Sequence, residues 1–347
     1  MSEISDMLAD SVDRLFGNAN DTAQDFDAAL WSQVQELGLP LLLVPEERGG
    51  VGARWDDALA VLHPAGRHAI GLPVAEGMLA AHLAAGANLD IGEGLAVAAP
   101  VQNVSIQKSG GGWQFTGTVP SVPWGRHAHA LVTVVPFDNR PHVIVLHDKP
   151  TQVREGRNLA FEPRDDLHFE SCTAQAAPSI APAATQLYEH CALLRLAQIV
   201  GALEGALALS IDYARERKQF GRAIGQFQAV QQQLALFGAE AAAVSCATRA
   251  AFRAAAVGDA QFQIAAAKLR ANMAIGMATA TAHQVHAAIG FTWEHRLRRY
   301  TQRLMSWRSE FGNDRYWAER LGAAVAARGA ECFWSDLTTR DDAAALA

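Results

Sequence analysis

The stretch YARERKQFGRAIGQFQAVQQQ runs from Tyr213 to Gln233 and carries a charged segment that ends in two closely spaced glycines. Glycine tolerates positive φ and commonly ends a helix, so Gly221 is predicted to stop the helix and let the backbone turn. Spacing alone leaves two interpretations open. The segment is either a solvated basic helix end capped by Gly221, or a site where the Arg217 guanidinium forks onto a pyrophosphate.

Long blocks without proline surround this stretch. From about 185 to 338, Ala, Leu, Gln and Arg dominate and proline is absent, which is typical of bundle helices. Gly258 and Asp259 predict a turn between two of these helices. The predicted helices cover about 186–216, 226–257, 260–288 and 294–309, with another beyond 313.

The first part of the chain is also predicted to be helical. Phe26, Leu30 and Val34 recur at helical spacing, and Gly38 falls where a C-cap glycine is expected. Further helices are predicted from about Asp56 and over 74–86. The Pro- and Gly-rich segment 45–52 between them is predicted to be a structural turn.

Residues 91–175 differ from both helical zones. Short β-rich runs at 95–98, 113–116, 130–135 and 142–146 are separated by glycines and prolines, which predicts a small sandwich or barrel. An Ala/Pro-rich connector is expected at 173–184. The predicted fold class is therefore α+β and mostly α, with an N-terminal helical domain (1–90), a middle β domain (91–175) and a C-terminal helical bundle (185–347).

Composition excludes several classes of function. Half of the residues are hydrophobic and the net charge is −7, so the chain is globular and lacks the basic footprint of a general nucleic-acid binder. The four cysteines are widely spaced without a CxxC pair, which indicates free thiols, and His283 with His286 lacks an acidic partner for a metal. No export signal or uncharged membrane-length run is evident, so a cytoplasmic protein without a membrane span is expected.

The order of helical, β and helical zones, together with the Tyr213–Gln233 stretch, resembles the FAD-dependent acyl-CoA dehydrogenase family over nearly the whole chain. The resemblance implies α,β-dehydrogenation of an acyl-CoA thioester, with electrons passed to an electron-transfer flavoprotein. A carboxylate removes the α-proton, and the β-hydrogen leaves as hydride to the flavin.

The resemblance also implies the residues that contact FAD. Arg217, Gln219, Phe220 and Gln228 match the family segment that reaches the FAD of a neighbouring subunit. Gln284 and Gly290 match a second segment, a loop that lies against the adenosine end of FAD. Ala287 and Ala288 stand where the family usually has two glycines, so added methyl groups are expected either to hold the ligand off the backbone or to require a φ that Ala disfavours.

The middle zone departs further from the family. The Thr-Glu…Gly-Ser-Asp segment that lends donors to flavin and substrate is absent. Pro100, Gln102 and Asn103 stand near its place and offer fewer or different donors.

The catalytic base matches only with a shift of one residue. One family position for the glutamate is occupied by Cys191, which is expected to be a small buried hydrophobe. At the other position Glu310 lies one residue before the site, so it is either the base or a surface glutamate paired to Arg308 or Arg315. Glu204 and Glu294 are weaker candidates, expected on helix faces.

These departures leave two functional interpretations open. The chain is either an active acyl-CoA dehydrogenase with Glu310 as base, or a catalytically weak subunit that shares flavin with a partner. The short chain resembles the smaller subunits that assemble as α2β2 heterotetramers on bulky CoA esters, such as those of steroid side chains. A homo- or hetero-oligomer is expected in either case.

Overall fold

The computed structural model describes residues 3–19, 26–179 and 186–338, and these fall into two compact units. One contains the described parts of Met1–Asn18, Trp55–Ile70 and Ala192–Ala347, and the other those of Ala19–Arg54 and Gly71–Cys191. The helices in chain order are α1 (Glu3–Gly17), α2 (Ala28–Glu36), α3 (Trp55–Arg67), α4 (Val74–Gly86), α5 (Leu187–Glu216), α6 (Gln228–Val257), α7 (Gln261–His286), α8 (Leu297–Ser309) and α9 (Asp314–Arg328). The strands are β1 (Ala96–Ala98), β2 (Ser105–Ser109), β3 (Gly112–Pro123), β4 (Ala130–Phe137), β5 (Arg140–Leu146), β6 (Gln152–Arg154), β7 (Arg164–Pro178), β8 (Lys218–Gln219) and β9 (Arg222–Ala223).

The mostly helical α+β fold class is confirmed, with helices before and after a middle β region in the chain. Each predicted C-terminal helix is present, because long proline-free blocks with recurring apolar residues bury one face. Gly258 ends α6 with a φ of 114°, as the turn prediction required. The division into three domains stays a prediction.

Helix α7 is central to the first unit. It packs against α6, α8 and α9, while α3 packs against α1 and α6. Glycine permits the close approach of α3 and α5, since a Cβ on Gly201 would lie 2.0 Å from the carbonyl oxygen of His63. The largest fully buried side chains of this core include Phe16, Phe237, Phe252, Trp307 and Trp317.

The second unit is built on one sheet with the strand order β1-β4-β5-β7-β3-β2, and β6 pairs with β7. The pair β1–β4 is parallel and the other pairs are antiparallel, so the sheet is mixed. Helix α4 packs against β1, β4 and β5. The pairings among the described strands do not show the closed barrel that was one of the predicted alternatives.

The predicted connector at 173–184 was wrong over its first part. Strand β7 continues to Pro178, with Gln175 opposite Val145 and Ala177 opposite Val143. The Ala- and Pro-rich composition of this segment does not predict a strand, because the strand depends on pairing with β5. Residues 180–185 of the connector lie outside the described residues.

The turns of the first helical zone form as predicted. Helix α2 ends before Gly38, which takes the left-handed conformation at φ 69°. In the segment 45–52, the Gly50 and Gly52 amides donate to the carbonyls of Pro45 and Val44. A Cβ on Gly50 would lie 2.2 Å from the Val44 carbonyl oxygen, so this turn excludes larger residues.

Two helices are long and apolar enough to cross a membrane by length and composition alone, α5 and α6. The most apolar window of α5 is 78% buried, as in the core helix of a globular protein, whereas that of α6 is only 28% buried. This is weak evidence for a span. The expected cytoplasmic location stays a prediction.

Candidate functional site

The predicted pyrophosphate segment forms a small hairpin directly after α5. Helix α5 ends at Glu216, and β8 pairs with β9 through Lys218–Ala223 and Gln219–Arg222. The two turn residues, Phe220 and Gly221, have φ values of 53° and 80°, the pattern of tight two-residue hairpins. The prediction that Gly221 ends the helix was therefore wrong, because the hairpin turn needs its positive φ.

The hairpin presents its candidate residues to solvent. Arg217, Gln219 and Gln228 are exposed, and the Phe220 side chain is 91% exposed. Phe220 makes an edge-to-face contact with Phe227, at 6.1 Å between ring centroids. The Phe220 ring is therefore accessible to another molecule.

The second predicted segment follows α7 as a short 3₁₀ turn, Ala287–Phe291. Ala287 has φ 54° and ψ −142°, a combination that glycine adopts readily and alanine does not. Of the two effects expected for alanine here, the disfavoured φ is thus present. Gly290 is buried, and a Cβ on it would lie 2.9 Å from the Cβ of His286. Gln284, on the last turn of α7, is exposed.

Aromatic stacking brings the two segments together. Tyr213, near the end of α5, stacks on the buried His286 of α7 with ring centroids 4.5 Å apart. His295 meets His286 edge-on at 4.9 Å, and His283 stacks on Phe291 at 4.0 Å. The hairpin and the 3₁₀ turn therefore lie on one surface of the first unit.

Burial disfavours the charged form of the three histidines in this cluster. Burial lowers the pKa of His283, His286 and His295 below the usual value for histidine. His286 Nδ1 donates to the carbonyl of Ala282 at 2.9 Å, while its Nε2 has no hydrogen-bond partner in the described part of the chain. No group of three potential metal ligands occurs among the described residues.

The predicted base Glu310 directly follows α8. Its side chain is 18% exposed, and its Oε2 lies 3.3 Å from a guanidinium nitrogen of Arg195. Arg195 itself is 4% exposed and lies over the rings of Trp307 and Phe311. The ion pair of Glu310 is thus with Arg195, whereas Arg308 and Arg315, the partners considered from the sequence, pair with Asp314 and Glu319.

Arg195 and Lys268 were missed by the sequence reasoning. Arg195 follows Cys191 by one helical turn on α5, so it shares a helix face with a position already singled out. Lys268 stands among alanines of α7 with no local signal, yet it is fully buried beside the turn that carries Glu310.

The weaker candidates lie elsewhere. The Glu204 carboxylate lies 2.7 Å from Nε2 of His63. Glu204 also lines a cavity of about 560 Å³, together with residues of α1, α3 and α6. Burial works to raise the pKa of Glu204, but His63 and the nearby arginines outweigh it and leave the pKa lowered. Glu294 is exposed. In the second unit, Gln102 and Asn103 are exposed just after β1.

Residues 182–326 match the family model of the acyl-CoA dehydrogenase C-terminal domain. Acyl-CoA dehydrogenase IpdE2 of Mycobacterium tuberculosis is 30% identical over 286 residues, which cover 80% of this chain and 80% of the relative. The chain therefore belongs to the acyl-CoA dehydrogenase family, whose members are flavin-dependent oxidoreductases acting on acyl-CoA.

Solved structures share the fold over almost the full chain. The ChsE4–ChsE5 complex from Mycobacterium tuberculosis contains a chain with a TM-score of 0.83 and 24% identity, with coverage of 94% of this chain and 98% of that one. A variant of the Tcur3481–Tcur3483 steroid ACAD has a TM-score of 0.85 and 22% identity, with the same coverage. At these identities the likeness establishes the fold.

Proposed function

We propose that this chain is a subunit of a FAD-dependent enzyme that introduces an α,β double bond into an acyl-CoA thioester and passes the electrons to an external flavoprotein. The observation that carries the proposal is the surface formed by the hairpin and the 3₁₀ turn. Arg217 and Phe220 are exposed there, with no ion pair for Arg217 among the described residues. This suits a segment that reaches a flavin bound mainly by a neighbouring subunit.

The residues on this surface fit the adenosine diphosphate end of FAD. The Arg217 guanidinium can fork onto the pyrophosphate, and Gln219, Gln228 and Gln284 offer amide donors. Phe220 offers an exposed ring face at the hairpin tip. Ala287 keeps a glycine-like backbone conformation, and Gly290 itself carries no side chain.

When bound, FAD would supply the acceptor for the β-hydrogen, which leaves as hydride. The chain's own contribution is Glu310, whose carboxylate would remove the α-proton of the thioester. The Arg195 guanidinium, 3.3 Å away, favours the ionised carboxylate that a base must have before it accepts a proton.

That ion pair also favours a second candidate function. The Glu310 carboxylate is engaged by the buried Arg195, so a partner subunit could supply the carboxylate that removes the proton. The chain would then be a flavin-sharing subunit with little activity alone. A heteromeric assembly is supported by the ChsE4–ChsE5 complex, and a bulky substrate such as a steroid-type CoA ester by the steroid ACAD of the same fold.

Exchange of the α-protons with deuterated water tests the base. The native assembly would be incubated with a CoA ester, and deuterium uptake followed by mass spectrometry. Glu310→Gln is expected to abolish exchange without releasing FAD, because the amide cannot accept the proton. Glu319→Gln, at an exposed glutamate of the same unit that pairs with Arg315, is the matched control and should exchange like the wild type. Unchanged exchange in Glu310→Gln would rule out Glu310 as the base.

Flavin content separates the two assemblies. The chain would be purified alone and as the native assembly, and its visible flavin absorption compared per protomer. A yellow homo-oligomer that oxidises CoA esters with a dye acceptor supports the first function. A colourless chain that becomes part of a yellow, active enzyme only with a second subunit supports the flavin-sharing function.

A further inference from the structure

The turn that carries Glu310 is an irregular end of helix α8. Helix α8 stops at Ser309, and Phe311 and Gly312 then take φ values of 54° and 106°. Unwinding at a helix C-terminus leaves the last carbonyl groups without partners inside the helix. Because Trp307 and Gly312 are buried, their carbonyls need partners from elsewhere in the protein.

Lys268 of α7 supplies these partners. Its Nζ donates to the carbonyls of Trp307, Arg308 and Gly312 at 3.0, 3.2 and 3.2 Å. It also donates to the side-chain oxygen of Asn272 at 2.8 Å. The lysine side chain is fully buried, so the whole of its ammonium group is used inside the protein.

Asn272 completes the arrangement from the next turn of α7. Its Nδ2 donates to the carbonyl of Gly312 at 3.2 Å, and its side chain is also fully buried. Residues four apart lie on the same helix face, so Lys268 and Asn272 act on the turn together. Trp317 adds a donor from α9, with its indole nitrogen 3.1 Å from the Phe311 carbonyl.

The number of donors is closely matched to the number of acceptors. An ammonium group has three N–H donors and no acceptor, and here it faces four oxygens, one of which it must share. When the group is protonated, its positive charge strengthens these hydrogen bonds. Loss of the amino group would therefore remove this donor from the carbonyls of Trp307 and Arg308 at once and leave Gly312 with Asn272 alone, and a buried carbonyl without a partner is costly.

We propose that Lys268 and Asn272 are positioning residues for the dehydrogenation. They fix the Trp307–Gly312 turn and thereby set the direction in which the Glu310 carboxylate faces. The inference rests on the proposed function of Glu310 as the base. A carboxylate on a loosened turn would still be present and ionised, but it would be held less often in the geometry for proton removal.

The test compares three variants of the native assembly. Lys268→Met keeps the length of the side chain and removes its donors. Asn272→Ala removes the second contact to Gly312 and leaves the lysine in place. Thr281→Val is the matched control, because Thr281 is a buried polar residue of α7 whose hydroxyl contacts only Met277 of its own helix among the described residues.

Two measurements are made on each variant: the kcat and KM for a CoA ester, and hydrogen–deuterium exchange of peptides that span 305–317. Lys268→Met is expected to lower kcat by about 10-fold or more with little change in KM, and to speed exchange in these peptides. Asn272→Ala should give the same pattern with a smaller effect. Thr281→Val should leave both measurements as in the wild type.

The outcomes distinguish a failure of the positioning role from a failure of Glu310 as the base. Suppose that Glu310→Gln is inactive. If Lys268→Met then shows faster exchange in the turn but an unchanged kcat, the positioning role is overturned. If Glu310→Gln keeps its activity as well, the assignment of the base is what fails. An equal loss of kcat in Thr281→Val would mean a general loss of packing and would also overturn the proposal. If Lys268→Met does not fold, Asn272→Ala carries the same test by itself.

Discussion

Replacing Ala287 by glycine is expected to stabilise the protein, which is the reverse of the usual effect of glycine. Ala287 stands at φ 54° and ψ −142°, where a Cβ crowds the neighbouring backbone. The strain of a non-glycine residue in such a conformation is about 1–3 kcal/mol. Because the side chain is exposed, removing its methyl group forfeits little packing.

The gain is partly offset in the unfolded chain. Glycine has more conformational freedom there, which costs about 0.4–1 kcal/mol on folding. The net stabilisation is therefore about 1 kcal/mol. In a chain of this size that corresponds to a rise in Tm of roughly 2 °C.

Ala288 provides the matched control. It is exposed in the same 3₁₀ turn but is not among the residues with positive φ. Ala288→Gly therefore relieves no strain and is expected to destabilise the protein by about 0.5–1 kcal/mol through the freedom of the unfolded chain. The two variants differ by one position and have opposite expected signs.

Urea unfolding and thermal melting of both variants beside the wild type measure the difference. The same preparations also report on the ligand surface, since Ala287→Gly should bind FAD at least as tightly as the wild type. A Tm for Ala287→Gly that falls as much as that for Ala288→Gly would refute the strain assigned to this loop.

Three further predictions concern buried charge. Arg195→Met should lower the free energy of unfolding by about 2 kcal/mol or more, because it removes one partner of a largely buried ion pair, and adding Glu310→Gln should recover part of the loss in urea unfolding. Burial lowers the pKa of Lys268 to about 7, among the charged groups Arg195, Arg308, Glu310 and Asp314. The unfolded state then binds more protons between about pH 7 and 10, so this group makes stability rise with pH over that window, and the rise should be missing in Lys268→Met. Burial lowers the pKa of His286 below its usual value of about 6.5, so stability should fall as the pH drops below that value, and His286→Phe should reduce that acid sensitivity if the ring stack with Tyr213 is kept.

The helices could be predicted from the sequence because their signals are local. Proline-free blocks with recurring apolar residues set α5 to α9, and Gly38 and Gly258 marked helix ends that the structure places there. The strand continuing to Pro178 was missed, because its Ala- and Pro-rich sequence carries little β preference and depends on pairing with β5. The β8–β9 hairpin was missed because strands of two residues are too short to show an alternating pattern.

Only part of the candidate site could be found in this way. Arg217, Gln219, Phe220 and Gln228 are contiguous enough to match a motif, and the structure joins them to Gln284 and Gly290 through the Tyr213–His286 stack. Arg195 and Lys268 have no such signal. They act on Glu310 and its turn from different helices, and that proximity exists only in the folded chain.

The most direct test of the flavin surface is the reduction of bound FAD by a CoA ester in the native assembly without oxygen. Arg217→Gln would be compared with Arg215→Gln, an exposed arginine of the same helix end that already pairs with Asp212. We expect the wild type and Arg215→Gln to retain flavin and lose its visible absorption when the ester is added. Arg217→Gln should lose most of its flavin during purification. Full flavin content and normal reduction in Arg217→Gln would contradict the role of this surface in holding FAD.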